Sequence, residues 1–184
     1  MRFLLYDEMR LFTAIHFNDE TIRELLRVQR ELKSIEPDCN YSRVENLHLT
    51  IEFLGECDRK MQYAACLAMD ELKLSPFEIS VGRMGRFGSG KDGMVWAGVE
   101  GDGLIKLKQA LDDALDARKV HYEKKEFTPH ITLVRQCAIS QRELDRIPIS
   151  ARCMIDGVSL MLSTRERGKL IYTELYTKKL RRQR

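Results

Sequence analysis

The chain has 184 residues, 43% of them apolar and 32% charged, with a formal net charge of +3. That length builds one compact unit or two small lobes sharing a cleft, and that balance excludes a disordered polymer. The mild charge permits an anionic ligand without requiring a polyanion, no apolar run reaches the length of a membrane span, and the opening MRFLLYDEMRLFTAIHF lacks a signal-peptide cleavage site.

The five cysteines, Cys39, Cys57, Cys66, Cys137 and Cys153, are scattered and odd in number, without a C-x-x-C pair. Reduced thiols in a cytoplasmic protein are the expectation, rather than a zinc site or a redox couple.

In chain order, RLFTAIHF over 10–17 predicts a strand. A helix follows: Asn18 suits the N-cap, Asp19 and Glu20 the first turn, and Ile22, Leu25, Leu26 and Leu32 recur at helical spacing up to Pro37. Next come the strand NLHLTIEFLG, a helix from about Asp58 to Leu72, and strands at 77–87 and 94–100 joined by a short Gly-rich connection. That connection predicts an antiparallel hairpin.

The same order then repeats. Leu104, Leu107, Leu111 and Leu115 mark one face of a helix, FTPHITLVR predicts a strand, and Ser140 with Glu143 forms a capping-box pattern. CMIDGVSLML and LIYTELYTKKL close the chain as strands. Both halves therefore read strand, helix, strand bearing H-x-T, helix, strand, with the two histidines 82 residues apart. The fold class expected is α+β, with two antiparallel sheets related by a pseudo-twofold axis, outer helices and a central cleft.

Strand alternation puts His48 beside Thr50 and His130 beside Thr132, each pair on the face opposite its apolar neighbours. One such motif is compatible with an ordinary half-buried strand. Two copies at equivalent places in a duplicated unit, in a chain with four histidines, point to opposed halves of one site. Paired imidazoles suit a reaction in which one group loses a proton and another gains one, as when water opens a cyclic phosphodiester. The threonine hydroxyls can donate to non-bridging phosphate oxygens. Such chemistry calls for neither cofactor nor metal, and no carboxylate cluster with metal-ligand spacing stands out.

MRLFTAIHF, NLHLTIEFLG, PHITLVR and the segment from Ser163 to Tyr172 resemble the RNA 2′,3′-cyclic phosphodiesterases, or 2′-5′ RNA ligase-like proteins, of the two-histidine phosphoesterase superfamily. The resemblance runs from Met9 to the end, so a single bilobal unit over 9–184 is expected, preceded by an extension over 1–8. It implies a bilobal α+β enzyme that opens RNA 2′,3′-cyclic phosphate ends to 2′-phosphomonoesters, with His48 as proton donor and His130 as proton acceptor. It also implies a phosphate-side role for Arg135, although strict alternation puts Arg135 on the face opposite His130. The partner expected is an RNA or oligonucleotide with a cyclic phosphate end, bound by a monomer without a metal or a membrane. Rival readings are 2′-5′ ligation, hydrolysis of another small cyclic phosphate, and a non-catalytic RNA-end binding module. The tract YSRVEN lacks the tryptophan and prolines common before the first motif, leaving Tyr41 as the aromatic there.

Other features carry less. GRFGSGK over 85–91 satisfies G-x-x-x-x-G-K, but Asp92 replaces the Ser or Thr of a P-loop and a strand follows, so a flexible hairpin is expected. Arg86 and Lys91 within it, and the basic end KKLRRQR, are candidates for auxiliary RNA contacts. Tyr172 and Tyr176 could stack a base or belong to the core. His16 and His121, without a threonine partner, read as structural.

Overall fold

A computed structural model of the protein describes residues 8–182. The expected extension over 1–8 lies, apart from Glu8, outside the described residues. The elements are β1 (Met9–Ile15), α1 (Asp19–Ile35), β2 (Asn40–Tyr41), β3 (Leu49–Cys57), α2 (Arg59–Asp70), β4 (Phe77–Phe87), β5 (Met94–Glu100), α3 (Asp102–Ala117), β6 (His130–Arg135), α4 (Gln141–Leu144), β7 (Ala151–Ile155), β8 (Gly157–Glu166) and β9 (Lys169–Lys179).

The local rules act as the residues suggest. The Asn18 side chain accepts from the Thr21 N–H at 2.8 Å and caps α1. Asp58 does the same for Met61 at the start of α2, and Ser140 and Glu143 close a reciprocal capping box on α4. Leu104, Leu107, Leu111 and Leu115 of α3 are all fully buried.

All strand pairings are antiparallel. The order β7-β4-β5-β6-β3-β1-β8-β9, with β2 alongside β6, forms one continuous sheet. It divides naturally between β3 and β6, which share a single register pair, Leu49 with Ile131. On one side stand β3, β1, β8 and β9, and on the other β6, β5, β4 and β7. The two expected sheets are thus two halves of one sheet, hinged where the H-x-T strands meet.

The duplication has a further twist. β4 follows the first H-x-T strand in sequence yet pairs with β5 in the second half, while β8 follows the second and pairs with β1 in the first. Each repeat lends a strand to the other half. The main apolar core lies between the sheet and its helices and takes in Leu25, Leu49, Leu107, Ile131 and Leu160. A small second cluster, Phe12, Ala14 and Met161 with Tyr172 against it, lies apart from that core. Among the described residues no helix is long and apolar enough to cross a membrane.

Candidate active site

His48 is the residue before β3 and His130 the first of β6, so the two imidazoles flank the place where the halves join. Each ring is anchored in the same way. The carbonyl two residues earlier lies within hydrogen-bond distance of Nδ1: Asn46 O at 2.8 Å for His48 and Thr128 O at 2.6 Å for His130. A carbonyl only accepts, so Nδ1 must carry the proton and Nε2 of the neutral ring is the free acceptor. Both histidines line one cleft of about 880 Å³, together with Thr50, Thr132, Arg135 and Tyr172.

Each imidazole also sits against aromatic rings. His48 packs between Phe12 and Tyr172, at centroid distances of 5.1 and 5.0 Å, and the Tyr172 contact is edge-on at 90°. His130 meets Phe87 edge-on at 5.3 Å, with Trp96 at 6.3 Å. The Trp96 ring lies over Gly85, where a Cβ would come within 2.3 Å of it, so that strand position admits no side chain.

Burial pushes the His48 pKa down to about 4, opposed by the Asn46 carbonyl and reinforced by the nearby charges of His16, Arg135 and His130. The ring is therefore neutral at pH 7, and its Nε2 lies 3.0 Å from the Thr50 hydroxyl, which donates to it. Thr132 and Arg135 are less well satisfied: the hydroxyl and the guanidinium both reach the Met94 sulfur, at 3.5 and 3.1 Å. A thioether is a weak acceptor, so both donors are open to an anion.

Strict alternation fails on both motif strands, and the failure shapes the cleft. On β6 the register against β5 shifts: Thr132 faces Trp96 and Val134 faces Val95, leaving Leu133 as an extra residue. Leu133 and Val134 are both buried, and Arg135 returns to the side of His130 and Thr132. A buried glutamine holds this bulge. Gln29 of α1 donates to the Leu133 carbonyl at 2.8 Å and to the Ser42 carbonyl at 2.9 Å. The Ser42 N–H also donates to the Leu133 carbonyl, and its hydroxyl to the Thr132 carbonyl.

β3 has the corresponding irregularity at Ile51, with Thr50 facing Ala14 and Glu52 facing Thr13. The buried Thr13 hydroxyl accepts the Glu52 N–H at 3.1 Å. Glu52, which strict alternation along the strand would put beside Thr50, is instead buried on the core side, where it pairs with Lys108 of α3. Phe53 takes the cleft position equivalent to Arg135, half exposed and near Phe12. The halves therefore differ: a guanidinium on one, an aromatic ring on the other.

A family model described as LigT-like phosphoesterase matches residues 15–96 and 98–172, each segment containing one H-x-T. The chain belongs to the LigT-like phosphoesterase family. It is 33% identical over 131 residues to a Thermotoga maritima protein named RNA 2′,3′-cyclic phosphodiesterase, covering 69% of this chain and 70% of that one. A Methanocaldococcus jannaschii protein of the same name is 30% identical over 128 residues, 69% and 71% of the two chains. Among solved structures, apo Escherichia coli LigT aligns with a TM-score of 0.83 at 25% identity, covering 96% of this chain and all of that one.

Within this LigT-like fold the remaining candidates separate cleanly. Arg86 donates to the Ile139 and Gly90 carbonyls and ties down its own hairpin. Neither it nor Lys91 lines the cleft. Lys178 and Lys179 pair with Asp70 and Asp156 away from the cleft, and Gln183 and Arg184 lie outside the described residues. Tyr176 donates to Asp70 and packs on the main core, whereas Tyr172 faces His48. Tyr41 lines the cleft while its hydroxyl donates to the Glu36 carbonyl. Sequence reasoning missed Gln29, Met94 and Phe53. Only Phe53 carried a signal, at the place in the first motif that Arg135 holds in the second.

Proposed function

We propose that this chain hydrolyses RNA 2′,3′-cyclic phosphate ends to 2′-phosphomonoesters by paired histidine acid–base catalysis. One observation carries the reading: two imidazoles, each fixed through Nδ1 to the carbonyl two residues earlier, line one cleft beside two threonine hydroxyls and a guanidinium. The names of the relatives supply RNA and the cyclic phosphate.

In this mechanism His130 Nε2 takes a proton from water as its oxygen attacks phosphorus. The bond from phosphorus to the ribose 3′ oxygen breaks, and His48 delivers a proton to that oxygen. The order of donor and acceptor rests on the family resemblance. Burial favours the neutral His48 ring, and a phosphate anion brought against Nε2 draws a proton onto it. Thr50, Thr132 and Arg135 hold the non-bridging oxygens, where negative charge builds in the transition state. Both motifs come from one chain, so a monomer suffices, and the five unpaired thiols suit a reducing cytoplasm.

Replacing either His48 or His130 by Ala is expected to lower turnover of a cyclic-ended oligonucleotide by at least about 100-fold, the usual scale of general acid–base catalysis. Chelator is expected to leave the wild type unchanged. Full turnover in either variant overturns the mechanism, and tight binding without any turnover by the wild type favours a non-catalytic RNA-end module.

A further inference from the structure

Resting on that reading, we infer that the β8–β9 hairpin is a subsite for the phosphate upstream of the reacting nucleotide, with Arg165 and Lys169 binding it and favouring oligonucleotides over mononucleotides. One scissile phosphate needs one cation at the histidines, and Arg135 supplies it. The same cleft carries four more, Arg10, Arg43, Arg165 and Lys169, of which Arg43 is already paired with Glu45 and donates to the Leu170 carbonyl. Arg135, Arg10, Arg165 and Lys169 are exposed, and none of these has a carboxylate partner among the described residues, although Glu8 and Glu56 also line the cleft. With a formal charge of only +3 on the chain, this is a local concentration of unpaired positive charge.

The register shows how these cations are arranged. Arg10 pairs across β1 and β8 with Ser163, and Ser163 pairs across β8 and β9 with Tyr172, so the three share one face and one row. Tyr172 is the ring packed edge-on against His48. Its hydroxyl lies in the field of Arg135, Arg10 and Arg165 together, which links the two ends of the track. Arg165 follows Ser163 by two residues on the same face, about 7 Å further along the strand. Beyond it, Lys169 opens β9 after a turn in which Arg167 and Gly168 both take positive φ, at 48° and 79°. A line of free cations leading away from the histidines, with the Phe12, Phe53 and Tyr172 rings beside it, has the two components by which single strands are held: backbone charge and base stacking.

The test compares adenosine 2′,3′-cyclic phosphate with a pentaribonucleotide ending in the same cyclic phosphate, in the wild type and in R165Q/K169Q. The double variant is expected to keep kcat/KM on the mononucleotide within about twofold and to lose about tenfold on the pentanucleotide at low salt. The salt dependence for the pentanucleotide becomes shallower, its log–log slope falling by about 0.7 for each phosphate that a cation no longer neutralises. R165E/K169E deepens the loss on the pentanucleotide alone. A fall of equal size on both substrates, or no fall on either, overturns the inference. Mononucleotide turnover by the wild type checks the cyclic phosphodiesterase reading by itself; its absence overturns that reading and this one with it.

Discussion

His48 and His130 carry the same motif and the same Nδ1 anchor, but their surroundings differ, and the difference is measurable. Burial holds His48 neutral down to about pH 4, whereas the unfolded chain binds that proton near 6.5. Between those values the unfolded state takes up more protons than the native state. The stabilising effect of a neutral His48 is therefore complete above pH 6.5 and is lost as pH falls towards 4, by roughly 3 kcal/mol at most. Denaturant unfolding of H48Q across that range should show a shallower loss of stability than the wild type. Equal slopes would mean that His48 is not held neutral. Which residues pair in each motif was legible from alternation alone. Where Arg135 and Glu52 point was not, because each follows an extra residue in its strand, and period-2 reading carries no mark of a bulge.

At the scale of elements, those bulges are held from outside the strands that contain them. Gln29 lies 104 residues from Leu133 in sequence and reaches it only because α1 packs on β6 and β7. From the sequence it reads as an ordinary polar residue on a helix. Removing its amide leaves the Leu133 and Ser42 carbonyls without that donor, at a cost of about 1–3 kcal/mol of stability. If the bulge aims Arg135 at phosphate, Q29A should also lower kcat/KM. R135A itself should lose about 10- to 100-fold, the scale of one charged hydrogen bond. In a double-mutant cycle, Q29A/R135A should then lose little more activity than R135A alone. Additive losses would separate the glutamine from the arginine and leave Gln29 a purely structural role.

At the scale of the whole molecule, the internal repeat was readable because local signals recur in order: helix starts marked at Asn18 and Ser140, leucines at helical spacing, and an H-x-T strand in each half. The exchange of β4 and β8 between the halves was not, since a strand's own residues do not name its neighbour, and register across a sheet depends on contacts far apart in the chain. The exchange matters for the site. It brings β8 of the second repeat onto the cleft beside β1, so that Ser163 and Arg165 line the wall that carries His48. The resulting cleft has a guanidinium at one motif and an aromatic ring at the equivalent place in the other, an asymmetry suited to holding phosphate on one side and nucleoside on the other.

By the proposed mechanism this cleft opens a 2′,3′-cyclic phosphate with water and releases the 3′ oxygen. The most direct test is identification of the product from a cyclic-ended oligonucleotide incubated with the wild-type protein, by mass spectrometry and digestion with a phosphatase and a 3′-exonuclease. One added water and a 2′-phosphomonoester with a free 3′ hydroxyl are expected. A 3′-phosphate product, or an unchanged cyclic end, would contradict the mechanism.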